Sequence, residues 1–164
     1  MDMNKKGFTL VELLAVIAIL AILVVMAVPN VINLFNGAKV STFISQAESL
    51  YKTAEQQVVA NQMRVTASST NEFCSSDATK KLNLSGSESI HYYVKFDGTG
   101  KVTEFDVEDG SYVIRITGSD IKLSDIATDD GTNYTNIHLL AEGKSINSCG
   151  SVDADILGAA VAVE

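Results

Sequence analysis

From Leu13 to Val28 every residue is apolar. With Phe8, Thr9 and Leu10 included, the stretch approaches the ~20 residues a helix needs to span a hydrocarbon core. A helix at the surface of a soluble domain shows one apolar stripe; a helix apolar all round must be surrounded by lipid or by other protein. A single carboxylate, Glu12, stands near the start of this run. An ionised side chain at the middle of a bilayer costs roughly 2.5–3.5 kcal/mol on insertion scales, so such a residue calls for a function and a partner.

The flanks narrow the reading. Lys5 and Lys6 stand directly before the run, which predicts a cytoplasmic N-terminus and a C-terminal domain on the other side. A secretory signal cleaved after Val25-Met26-Ala27 would release a soluble chain, but the apolar run is long for that purpose and contains Glu12. A plain signal-anchor explains the length and leaves Glu12 and Gly7 without a role. The chain of 164 residues carries a formal net charge of −8, with a pI near 4.7. No basic patch is visible, so a nucleic-acid partner held through its phosphates is not expected.

Gly7-Phe8-Thr9-Leu10-Val11-Glu12-Leu13, with a lysine before the glycine and an apolar helix behind, resembles the N-terminus of type IV pilins and pseudopilins. The close resemblance covers roughly residues 5–35. It implies cleavage between Gly7 and Phe8 by a prepilin peptidase on the cytoplasmic side, N-methylation of the new Phe8 amine, and a wait in membrane lipid. Assembly with other copies into a helical filament follows, through an inner-membrane platform and a separate ATPase. The residues suit that route. Gly7 lets the chain lie extended in a protease cleft. The cut removes Asp2, Lys5 and Lys6, making the side-chain charge one unit more negative than −8. It also creates a positive amine close to Glu12. Buried together in a filament core, the two charges need each other, so Glu12 is expected to pair with the Phe8 amine of a neighbouring subunit and set the axial register. Many pilins carry a glycine midway along the apolar stretch; Leu13 to Val28 contains none.

Pro29 lacks an N–H and crowds the preceding turn, so a kink or local loosening is expected there. Beyond it Val40, Phe43, Ala47, Leu50, Ala54 and Val58 recur at helical spacing. One helix is expected from Phe8 to about Asn61, the first half apolar all round and the second half with one stripe. The division is a leader at 1–7, a membrane and filament-core helix at 8–29, its amphipathic continuation at 30–61, and a head at 62–164.

In the head, residues 62–89 read as a polar connection with a short helix near Ala78 to Leu82. Strands are expected at Ile90 to Phe96, Val102 to Glu108, Ser111 to Thr117 and Asn136 to Ala141, with Asp109-Gly110 as a hairpin turn. Tyr112, Ile114 and Ile116 should face the helix. Ile121 to Ala127 reads as a short helix or an irregular crossover. The apolar tail from Ile156 to Val163 is too short to span a membrane; a further strand and simple docking on the domain both fit it. The expected fold is α+β and pilin-like: a long kinked N-terminal α-helix packed on a four-stranded antiparallel β-sheet.

Cys74 and Cys149 form the only possible disulfide, one that an extracellular compartment permits. Two free buried thiols are the alternative. No catalytic constellation is apparent, and neither a cofactor nor a metal is expected. His91 and His138 read as satisfied strand histidines without an acidic neighbour at ligand spacing. Asp125, Asp129, Asp130 and Gly131 lack the spacing of an EF-hand loop and read as a solvated acidic turn. Glu104 to Asp109 reads as an exposed strand edge. The function the resemblance implies is polymerisation as a pilus subunit. The alternatives are a pseudopilin of a secretion or competence system, and a membrane-anchored binding module.

Overall fold

The computed structural model describes residues 8–63, 71–84, 89–150, 152 and 154–163. The chain divides into two compact units, Met1–Lys39 and Val40–Glu164.

In the first unit helix α1 begins. It runs over Leu10–Met63 and stays helical through Pro29. Every side chain from Phe8 to Asn36 is exposed. This follows from the sequence: Leu13 to Val28 is apolar on all faces, and among the described residues of this unit nothing covers it.

In the second unit the remainder of α1 buries Val40, Phe43, Ala47, Leu50, Tyr51, Ala54 and Val58. The expected stripe is present, with Tyr51 added to it. The Tyr51 hydroxyl donates to the carbonyl of Ile121 at 2.8 Å, so this ring keeps its polar end satisfied inside the core.

The sheet has six strands in sequential order, all neighbours antiparallel: β1 Glu72–Cys74, β2 His91–Phe96, β3 Val102–Glu108, β4 Tyr112–Ile121, β5 Asn133–Leu140 and β6 Leu157–Ala162. One face packs on α1. Phe43 meets Tyr112 with ring centroids 5.8 Å apart, and Tyr51 meets Phe105 edge-on at 5.7 Å. Tyr92, Val94, Phe105, Val107 and Ile114 belong to the same core. Tyr112, Ile114 and Ile116 take the helix-facing side, as their alternation predicts.

Four expected strands become six. β1 is three residues long inside a polar stretch, too short for alternation to show; its pairing with β2 holds it. β6 settles the two readings of the tail in favour of a strand. Its Gly and Ala residues have weak strand preference, and it is the outermost strand beside β5. The expected helix near Ala78 to Leu82 is instead a turn, closed by the Asp77 carboxylate accepting from the N–H and hydroxyl of Thr79. Between β4 and β5 lies one 3-10 turn, Leu123–Asp125. The Asp109-Gly110 turn forms as expected: Gly110 has φ +88, and Asp109 accepts from the N–H groups of Ser111 and Tyr112.

The sheet's second face is covered as well, which the sequence did not lead us to expect. Residues 141–150, here called the strap, and the 3-10 turn Ala154–Ile156 bring Ile146 and Ile156 against Cys74, Tyr93 and Val113. Beneath this layer Glu104, Asp106 and Glu108 are buried. The reading of Glu104 to Asp109 as an exposed edge is thus corrected. β3 is a central strand, and its acidic residues alternate onto a face that another segment roofs over.

Candidate functional site

The site that sequence reasoning singles out lies at the start of α1. Thr9 is the residue before the helix and Glu12 lies in its first turn. Glu12 Oε2 accepts from the Thr9 backbone N–H at 2.9 Å and from the Thr9 hydroxyl at 2.7 Å. In return Thr9 Oγ1 accepts from the Glu12 N–H at 3.3 Å. This is a capping box, in which two otherwise orphaned N–H groups are satisfied reciprocally. Leu13 N–H then bonds to the Thr9 carbonyl at 3.2 Å and opens the helical ladder. Glu12 therefore has a partner within its own chain. Thr9 was not singled out from the sequence, although Thr-x-x-Glu before an apolar run is the signal of such a box.

Phe8 stands just ahead of the helix and is 87% exposed. Gly7, Lys5 and Lys6 lie outside the described residues. From Leu10 onward the surface is a sleeve of exposed Leu, Ile, Val and Met side chains reaching Phe35. By length and composition α1 is apolar enough to cross a membrane, and the qualifying stretch is wholly unburied within the chain. A surface of this extent is an interaction surface for lipid or protein.

In the head, the structure joins Cys74 to Cys149 by a disulfide with Cα atoms 5.5 Å apart. It ties β1 to the strap. His91 is not isolated from acids: the adjacent strand places Glu108 Oε1 at 2.7 Å from its Nδ1. Ser145 Oγ donates to the same carboxylate oxygen at 2.5 Å, Ile146 N–H reaches it at 3.4 Å, and Gly110 N–H donates to Oε2 at 2.7 Å. Burial alone would raise the Glu108 pKa, but hydrogen bonds from Ser145, His91 and Gly110 outweigh it and hold the group below the usual Glu value. Serine, histidine and glutamate thus meet, yet not as a nucleophilic triad. Ser145 and Glu108 share one ring nitrogen of His91, with Ser145 Oγ 3.2 Å from that Nδ1, and the serine proton goes to the carboxylate. A nucleophile needs the second ring nitrogen as its base. The cluster fastens the strap.

His138 departs from its expectation, because its buried Nδ1 has no hydrogen-bond partner. Asp125, Asp129 and Asp130 serve the backbone: they accept from Lys122 N–H, Gly131 N–H, and the N–H groups of Thr132 and Asn133 respectively. Among the described residues, no three His, Cys, Asp or Glu side chains are grouped to hold a metal ion.

Comparison with known protein families matches residues 2–28 to the family described as prokaryotic N-terminal methylation motif. Residues 2–28 carry the class III signal of type IV pilins and pseudopilins. No match was found among curated proteins or among solved structures. The class III signal spans Gly7, Phe8, the Thr9–Glu12 capping box and the apolar helix to Val28, so the geometry just described is the geometry of that signal. It implies processing by a prepilin peptidase and assembly into pilus-like filaments. It supports a prepilin-type protein of pilin or pseudopilin kind. The exposed apolar helix behind the class III signal accords with membrane anchoring before assembly.

Proposed function

We propose that this chain is the structural subunit of a type IV pilus. The observation that carries the reading is the exposed apolar surface of α1 from Leu10 to Phe35, directly behind a class III signal. Such a surface has two stable environments, a bilayer and a bundle of identical helices. The subunit occupies the first, with its N-terminus cytoplasmic, and then the second, in an extracellular filament. Adhesion, motility or DNA uptake falls to the outer surface of the heads.

Prepilin peptidase cuts between Gly7 and Phe8, and the Phe8 amine is methylated. Glu12 then exchanges its own Thr9 for the Phe8 amine of a neighbouring subunit. This exchange supplies the directional element that packing of Leu, Ile and Val side chains lacks, because a buried carboxylate without a partner is strongly disfavoured. Pro29 provides the place where the helix bends or loosens as subunits pack, since its i−4 hydrogen bond is missing. Residues 8–29 form the shared core, residues 30–61 connect, and residues 62–164 form the head. An assembly platform and a separate ATPase drive extraction from the membrane.

Electron microscopy of sheared surface material tests this reading, with Glu12→Leu as the companion variant. Long filaments from the unaltered chain, and few from Glu12→Leu despite normal membrane levels, are expected. Short envelope-bound fibres in place of surface filaments would move the assignment to a pseudopilin. Filament yield unaffected by Glu12→Leu would remove the proposed charge pair.

A further inference from the structure

Asp106 sits at the middle of β3 on the strap side of the sheet, with no exposed surface. Its cross-strand neighbours are Tyr93 on β2 and Arg115 on β4. Glu104 and Glu108 flank it on its own strand, one alternation away in each direction. Neither oxygen of Asp106 has a hydrogen-bond partner. The Tyr93 hydroxyl donates elsewhere, to Glu72 at 3.1 Å. Arg115 Nη1 and, on β5, His138 Nδ1 are likewise buried without partners. A buried ionised carboxylate accepting no hydrogen bond is strongly disfavoured, so this arrangement suits the neutral acid. Burial, reinforced by Glu104 and only partly offset by Arg115, pushes the group up to about 7.

The roof over Asp106 is fastened in two ways. Cys149 is bonded to Cys74, the β1 residue in register with Tyr93. Glu108 holds Ser145 and Ile146. On the strap Lys144 pairs with Asp155, and Glu142 stands at the rim of the cleft that reaches Glu108. An open cleft of about 420 Å³ reaches the Glu108 end between His91, Gly110, Gly143 and Ser145, so solvent already stands at that edge.

We propose that Asp106 and Glu108 make the strap a proton-gated cover, closed while Asp106 is neutral and Glu108 ionised, and lifted from its Glu108 end when Asp106 loses its proton. The disulfide is indifferent to pH and acts as the pivot. Ionised Asp106 requires hydration, and water enters most directly from the cleft, beneath Ser145 and Ile146. Ionised Asp106 then adds its charge between Glu104 and Glu108 on one strand face, adding to the disfavour of the closed state. Acid works on the other residue: protonated Glu108 loses its hold on Ser145 and Ile146. The cover is therefore tightest near the ordinary carboxylate range of about 4, and loosens as pH rises from there to about 7. His91 lies against Glu108, so the contribution of Asp106 must be separated from it by substitution.

Hydrogen exchange of the full-length chain in detergent micelles, followed by mass spectrometry of strap peptides and corrected for intrinsic rates, tests this. In the unaltered chain the open population of residues 141–150 should grow by up to tenfold per pH unit between about 4 and about 7, and level off above about 7. Asp106→Asn should flatten most of that rise, while His91→Gln should leave most of it. An unchanged slope in Asp106→Asn, or no slope in the unaltered chain, overturns the proposal. Carboxyl NMR of the unaltered chain labelled at aspartate gives a second reading that needs no folded variant. A midpoint for Asp106 near 7 supports the gate, and one near the ordinary value of about 3.9 removes it.

Discussion

Thr9 and Glu12 close on each other across the first turn of α1, each satisfying a backbone N–H of the other. The carboxylate that looks anomalous in an apolar run is thus not unpaired before assembly. Its partner is local, and exchangeable for the amine that cleavage would create at Phe8. Thr9→Val keeps the side-chain shape and removes the hydroxyl; Thr9→Ser keeps the hydroxyl. Amide exchange at Glu12 and Leu13, measured by NMR in micelles, should accelerate in Thr9→Val and remain slow in Thr9→Ser. Equal protection in both would show that the box does not hold the helix start.

The two halves of α1 should respond oppositely to truncation. Phe43 is completely buried under the sheet, whereas Leu20 is 53% exposed. Phe43→Ala should cost about 3–5 kcal/mol of head stability through transfer and cavity effects. Leu20→Ala should leave it within about 0.5 kcal/mol, as surface changes do. Urea unfolding followed by tyrosine signals of the head separates the two, and an equal loss from Leu20→Ala would contradict the separation of core and sleeve.

The Cys74–Cys149 link closes a sequence separation of 75 residues. In the chain-entropy account, loops of this length contribute on the order of 4–5 kcal/mol, an upper figure in practice. Replacing both cysteines by serine should lower the urea midpoint of the head and leave helix content intact. A midpoint equal to that of the oxidised chain would show that the strap docks without its tether.

Acid should weaken the head through Glu108. Its pKa is lowered in the folded state because hydrogen bonds from Ser145, His91 and Gly110 outweigh the effect of burial. The stability it contributes is present above the unfolded Glu pKa and is lost as pH falls through the lower folded value. Removing a hydrogen-bonded charge of this kind costs about 1.5–3 kcal/mol. Glu108→Gln should therefore lose stability near neutral pH and show a flatter acid limb in thermal melts taken across pH. An acid limb as steep as that of the unaltered chain would assign the loss to another carboxylate.

What was legible in the sequence followed periodicity. The helical stripe from Val40 to Val58 and the alternation in β2, β3 and β4 are strong patterns, and the structure follows them. β1 was hidden because three residues cannot establish a period and their pairing is imposed by tertiary context. The acidic face of β3 was misread for a different reason. Glu104, Asp106 and Glu108 alternate correctly, but their charge suggested solvent, and the segment that covers them offers few apolar residues, chiefly Ile146, to announce itself. The Thr9–Glu12 spacing was available and went unused, because Glu12 was considered only for what it meets outside its own chain.

Mass spectrometry of the N-terminal peptide, from the chain purified out of its native envelope and surface fractions, bears most directly on the central claim. The account predicts a mature chain that begins at Phe8 with a methylated amine, recovered in sheared filaments. A chain beginning near Val28, or one retaining Gly7 in the assembled fraction, would contradict it.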